Sequence, residues 1–262
     1  MNRKSSTYFR YILVALLVLA LALAAGCAAQ QKAADTNSKP AETGSKTADT
    51  AAADIYIRGA DIKADDAKKL LVDGNARYTS GKVLDDDLSA TKREDLVKNG
   101  QHPFAVIVSC SDSRVPPELL FDQGLGDIFI VRTAGNVVDP IAVGSVEYGV
   151  EHLKAPLVVV MGHSKCGAVK STIDTMAKGG KFEGNIGAIL TKVKPSVDKA
   201  KAAGAAGDAL YQESENDNVK ATIADLEKSP FLKELVEKKE LTIIGAKYDV
   251  TTGQVTFFEE AK

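Results

Sequence analysis

The sequence predicts an α/β fold, a mostly parallel central β-sheet flanked by helices. Three observations lead there. Four apolar runs lack the alternation of a half-solvated strand: FAVIVS (104–109), IFIV (128–131), PLVVVMG (156–162) and LTIIGAKYD (241–249). Strands buried on both faces read this way, as in parallel sheets. Segments of helical periodicity lie between these runs, and such alternation places helices on both faces of one sheet. Finally, two of the runs end in reactive polar groups, SCSDSR and MGHSKCG. In open parallel sheets, ligands bind beyond the carboxyl ends of the strands.

The chain has 262 residues, 45% hydrophobic and 26% charged, with a formal net charge of −2. That suits one large globular domain with tails. No strongly basic balance points to nucleic acid as a partner.

Residues 1–26 read as a signal peptide. Arg3, Lys4 and Arg10 precede an apolar run of 14 residues, 12–25. That is an h-region length, short of the roughly 20 residues of a membrane span. Gly26-Cys27 after it resembles the lipobox of bacterial lipoproteins, although Ala24 stands where Leu is usual and Leu23 lies one place back. The resemblance implies cleavage before Cys27, lipidation of its thiol, and an exported lipoprotein on the extracytoplasmic side, at the cell membrane or in the periplasm and outer membrane. An uncleaved anchor or a plain secretory signal fits the same run. Residues 27–53 read as a flexible tether: from 28 to 53 there is no aromatic residue and no Val, Ile or Leu, so ordering them has no apolar burial to offset it. A coil of that length spans roughly 28 Å.

Residues 54–262 form the expected folded domain. DIKADDAKKLLVDGNARYTSGK (61–82) has Ala67, Leu70, Leu71 and Ala76 near helical spacing and ends at Gly81. LSATKREDLVKNG (88–100) predicts a short helix stopping at Asn99-Gly100. Further helices are expected over 140–154, 166–179, 186–204 and 218–239, and GQVTFFEE (253–260) is expected to close the sheet. Gly and Asn just past a periodic segment are helix stops.

The chain has three cysteines and three histidines. With Cys27 set aside, Cys110 and Cys166 remain, and His163 lies three residues before Cys166. His-x-x-Cys at a strand-to-helix turn presents both side chains on one side of a loop, and Cys110 from another strand end completes a His/Cys/Cys set. Zn2+ favours such a set, and three protein ligands leave a fourth position open, as in catalytic sites. In an oxidising compartment, two cysteines also suit a disulfide. Asp112 and Arg114 beside Cys110 suit a bidentate carboxylate–guanidinium pair, or an ordinary polar turn.

CSDSR (110–114) followed by GHSKCG (162–167) resembles the β-class carbonic anhydrases. LLVDGNARYTSG, FDQGLGDIFIVRTAGNVV, SVEYGVEHLKAPLVVVMGHSKCGAV, NVKATIADLEKSPFL and LTIIGAKYDVTTGQV are similar to family segments in family order, over about residues 60–260. The resemblance implies one Zn2+ per subunit on Cys110, His163 and Cys166. It implies reversible hydration of carbon dioxide to bicarbonate and a proton, by attack of zinc-bound hydroxide. Asp112, held by Arg114, would accept the hydroxide proton, and would become a fourth ligand only in a closed form. Gln101, nine residues before Cys110, would orient substrate. Phe129 and Tyr148 would line the CO2 pocket, and the Gly167 N–H would donate to bound substrate. His152, four residues after Tyr148, corresponds to a proposed proton shuttle; a solvated helix histidine reads the same way. A self-inhibited subgroup carries Trp and Gly where Ile107 and Ser109 stand here, so the open form is expected. The family's sites lie at a dimer interface, which implies a homodimer or tetramer, with Gln101 acting on the neighbouring zinc. Two other readings keep the scaffold: a CS2 or COS hydrolase, and a non-catalytic zinc- or bicarbonate-binding lipoprotein.

Overall fold

The computed structural model describes residues 62–258. The signal segment, Cys27 and the tether lie outside the described residues. Among those described, no helix is long and apolar enough to cross a membrane.

Helix α1 spans Ala64–Ser80 and α2 spans Ala90–Asn99. Gly81, with φ 68°, closes α1 by donating its N–H to the Tyr78 carbonyl, a left-handed stop that glycine adopts without strain. Strand β1 (Ala105–Cys110) follows, then the short α3 (Pro117–Leu120) and β2 (Ile128–Thr133). A 3-10 turn, Ala134–Asn136, leads to α4 (Pro140–Glu151) and β3 (Leu157–His163). Helices α5 (Gly167–Ala177), α6 (Gly184–Ala202), α7 (Asp208–Leu226) and α8 (Pro230–Glu237) precede β4 (Thr242–Tyr248) and β5 (Val255–Phe257).

The strand order is β2-β1-β3-β4-β5. All neighbours are parallel except β4 and β5. The expected mostly parallel sheet is therefore present, closed by an antiparallel edge. Every residue of β1 and β3 is buried. Their side chains alternate between two layers. Ala105, Ile107, Leu157, Val159 and Met161 pack with Ala67 and Leu71 of α1 and with Phe121. Val106, Val108, Val158 and Val160 pack with Ala142 and Val146 of α4, Val219 of α7 and Leu232 of α8. Each Val, Leu, Ile, Met or Phe among them contributes about 1.5–3 kcal/mol by leaving water. With apolar layers on both sides, neither strand has a polar face, hence the uninterrupted runs in the sequence.

One expectation needs correction. The segment 218–239 is not one helix. Ser229 accepts a hydrogen bond from the Leu232 N–H and Pro230 takes the first position of α8. A serine cap followed by proline starts a helix, because the missing proline N–H would be unpaired there anyway. In addition, α7 begins at Asp208, ahead of the expected start.

Candidate metal centre

β1 and β3 are neighbours, but the chain passes from β1 to β2 on one side and places β3 on the other. This is a topological switch point, where the loops diverge and leave a crevice. Cys110 ends β1 and His163 ends β3, and Cys166 is the residue preceding α5. The two Sγ atoms and one His163 ring nitrogen lie within 4.8 Å of one another, and all three residues are buried. Cys110 and Cys166 are free thiols rather than a disulfide.

The histidine is oriented for a ligand. Its Nδ1 lies 3.0 Å from the Ser164 carbonyl, which can only accept, so Nδ1 carries the proton. Nε2 is left with a bare lone pair, buried and without a hydrogen-bond partner among the described residues. A buried acceptor without a partner is costly, and a metal ion satisfies it. With two sulfurs beside it, the donor set fits Zn2+.

A bound cation would have to displace protons from this set. The Cys110 thiol is pulled down to about 4, chiefly because the Cys166 thiol hydrogen-bonds to its thiolate. Cys166 is pushed far up by the same contact and by burial; the two sulfurs share one proton. Burial alone would lower the His163 pKa, but the Cys110 thiolate beside it prevails and raises it.

Asp112 and Arg114 form the expected pair. Arg114 donates from Nε to Oδ1 at 2.9 Å and from Nη2 to Oδ2 at 2.8 Å, and its backbone N–H also donates to Oδ1 at 2.9 Å. These bonds hold the Asp112 carboxyl well below the usual range. Its Oδ2 stands 4.0 Å from His163 Nε2, so the carboxylate faces the crevice. Arg114 Nη2 also reaches the Lys165 carbonyl at 3.2 Å, tying the β1 loop to the β3 loop.

The remaining sequence-derived residues are placed differently. Gly167 opens α5 beside the cluster, and a Cβ there would meet nothing within 4 Å. Its N–H belongs to the first helical turn, whose donors lack intrahelical partners. Gln101 is exposed and precedes the start of β1, at the end away from Cys110. Phe129 pairs in register with Val106, roughly 13 Å along the strand from Cys110 at 3.3 Å per residue. The Phe129 and Tyr148 ring centroids are 6.1 Å apart, and Tyr148 and His152 are 4.9 Å apart. These three form an aromatic row, with Tyr148 49% exposed, and it does not meet the cysteine cluster within one chain.

Several site residues escaped the sequence reading. Arg132 donates from Nε to the Cys110 carbonyl at 3.0 Å and from Nη2 to the Asp112 carbonyl at 2.7 Å. An arginine closing an apolar strand was the available signal. The Gly135 N–H donates to Cys110 Sγ at 3.2 Å. Glu215 Oε1 accepts from the Cys166 N–H at 3.2 Å. Nothing in the pattern around Gly135 or Glu215 announces these bonds.

The model of the family described as carbonic anhydrase matches residues 105–255, more than half of the chain. A carbonic anhydrase of Mycolicibacterium smegmatis is 40% identical over 190 residues, covering 72% of this chain and 90% of that protein. Among solved structures, the β-carbonic anhydrase CafA of Aspergillus fumigatus aligns with a TM-score of 0.57 at 28% identity, covering 66% of this chain and 85% of that one. One of two tetrameric β-carbonic anhydrases from Sordaria macrospora aligns with a TM-score of 0.56 at 26% identity, covering 64% and 88%. On the family match and the likeness in sequence and fold, the chain belongs to the β-class carbonic anhydrase family.

Proposed function

We propose that this chain is a membrane-tethered carbonic anhydrase, which catalyses the reversible conversion of CO2 and water into bicarbonate and a proton. The observation that carries the reading is the bare, buried Nε2 of His163 facing two free cysteine sulfurs, with the Asp112–Arg114 pair at the rim. Cys110, His163 and Cys166 would hold one Zn2+. Bound there, the metal supplies Lewis acidity that makes hydroxide available as a nucleophile near neutral pH.

The chain's own residues do the rest. Asp112 is ionised wherever the enzyme operates, because Arg114 engages both its oxygens. It would take up the proton released when water becomes the nucleophile, accept a hydrogen bond from that nucleophile, and hold its lone pair toward CO2. Arg114 keeps the carboxylate from swinging onto the metal, which maintains the open form. The Gly167 N–H donates to a substrate oxygen. Gln101, Phe129 and Tyr148 stand too far from their own cluster to serve it. A second copy of the chain supplies them to this site, so the working unit is a homodimer or tetramer; the Sordaria relative is tetrameric by name. His152, exposed and 3.9 Å from Glu151, relays protons from the Tyr148 end of the pocket to solvent. Residues 1–26 export the chain, Cys27 carries the lipid anchor, and 27–53 tether the domain 54–262 outside the cytoplasm.

The test is metal content together with stopped-flow CO2 hydration. One zinc per chain, with turnover abolished by chelation and restored by zinc, is the expected result. A zinc-loaded protein without turnover would make this a binding protein, and the enzymatic reading would fall.

A further inference from the structure

Helix α7 carries polar groups on its buried face. Ser214, Glu215, Asp217, Asn218 and Thr222 are all buried there. Ser214 Oγ has no hydrogen-bond partner among the described residues, but Glu215, Asn218 and Thr222 each bond to backbone beside the metal centre. Glu215 Oε1 takes the Cys166 N–H at 3.2 Å. Asn218 Nδ2 donates to the Gly135 carbonyl at 2.7 Å, and the N–H of that same Gly135 donates to Cys110 Sγ. Thr222 Oγ1 donates to the Asn136 carbonyl at 3.1 Å. The Glu215 charge is balanced from β4: Lys247 Nζ lies 2.8 Å from Oε2, an ion pair outside aligned hydrogen-bond geometry.

From this geometry we infer that α7 is a positioning strut for the metal centre, with Glu215 and Asn218 setting the separation of the two cysteine sulfurs. The inference rests on the zinc reading above. Cys110 ends β1, and Cys166 closes the loop after β3. Through buried polar side chains, α7 grips that loop at Cys166 and the turn after β2 at Gly135 and Asn136, and the Gly135 N–H reaches Cys110 Sγ. Glu215 fixes where the turn before α5 starts. Asn218 fixes the turn whose N–H points at Cys110. Lys247 pairs with Oε2 and leaves Oε1 to the Cys166 N–H. None of these residues touches substrate; they act through the ligands.

The test measures zinc affinity by competition with a chromophoric chelator, and the visible absorption of the cobalt-loaded protein, on the full chain. Glu215→Ala is expected to lower zinc affinity 10–100-fold, the usual effect of losing an outer-shell partner, and to shift the cobalt bands. Asn218→Ala is expected to lower affinity about tenfold. Glu215→Gln, which keeps an acceptor for the Cys166 N–H, restores most of the loss. Leu226→Ala, buried at the far end of α7, lowers the Tm but leaves affinity and bands at wild-type values. Wild-type affinity and bands in both polar variants overturn the strut, as does an equal loss in Leu226→Ala, which would mean general destabilisation. Should Glu215→Ala fail to fold, Asn218→Ala carries the test through the turn after β2. A wild-type chain that takes up neither metal overturns the zinc reading and the strut together, whereas wild-type uptake with unshifted variants overturns the strut alone.

Discussion

Replacing Asp112 by Asn changes almost no volume and removes one function. In the native chain both carboxylate oxygens accept from Arg114, at 2.9 and 2.8 Å, and Oδ2 also faces His163 Nε2 at 4.0 Å. Asparagine offers one acceptor oxygen where two are needed. Whichever way its amide turns, either its NH2 opposes an Arg114 donor or its oxygen leaves the metal side. The fold loses little, because the Arg114 side chain is 51% exposed and exposed pairs contribute little. The reaction loses a positioned proton acceptor, worth about 10²–10⁴-fold in rate, or roughly 2.7–5.4 kcal/mol of barrier. Asp112→Asn should therefore bind zinc at wild-type stoichiometry, melt near the wild-type Tm, and hydrate CO2 at least about 100-fold more slowly in stopped flow. Wild-type turnover with zinc retained would refute the assignment of Asp112 as acceptor. Slow turnover accompanied by zinc loss would show that Asp112 serves the metal rather than the proton.

Four further outcomes are expected. Arg114→Leu frees the Asp112 carboxylate beside the metal, and the misplacement should cost about 100-fold in CO2 hydration, more steeply at low pH than at high; a flat pH profile would exclude closure by Asp112. Zinc binding must release the proton that Cys110 and Cys166 share, so apparent affinity should rise about tenfold per pH unit near neutrality, and a chelator titration without pH dependence would contradict the shared proton. Because the folded-state pKa of Asp112 is depressed, its ionisation adds a small, solvent-screened stability above the ordinary carboxylate pKa of about 3.9, which is lost as pH falls below it; Asp112→Asn should slightly flatten the denaturation midpoint over that acid range while leaving the neutral-pH Tm near wild type. Finally, a Cβ on Gly74 would lie 1.7 Å from the Phe121 carbonyl oxygen, so Gly74→Ala should push α1 off the sheet and cost about 1–3 kcal/mol or more of overpacking strain, read as a lower urea midpoint.

The sequence by itself determined the strands, most helix ends and the three side chains that cluster as a candidate metal site. Ile107 and Val159 sit in unbroken apolar runs because both faces of their strands are buried, and that condition is written locally. Gly81 and Gly100 stop helices through their own backbone freedom, which also needs no knowledge of distant chain. Cys110, His163 and Cys166 were legible as candidates because His-x-x-Cys and a second Cys stand at strand ends, while the choice between a metal set and a disulfide needed the fold. The tertiary structure alone decided which strand ends meet. β1 pairs with β3 as well as with β2, and only that pairing carries Cys110 to His163. The same pairing explains why the first half of α7 was missed. Helical periodicity reports apolar burial, whereas the inner face of α7 from Ser214 to Asn218 is polar and is buried because Cys166 and Gly135 happen to stand opposite. Gln101, Phe129 and Tyr148 show the complementary limit. Their residue types were readable, but their distance from the cluster follows from the direction of β1 and β2, which run toward the metal while those side chains stay at the starting ends. A local pattern can state that a group is reactive or buried; what it faces depends on strand order, and that is a property of the whole fold.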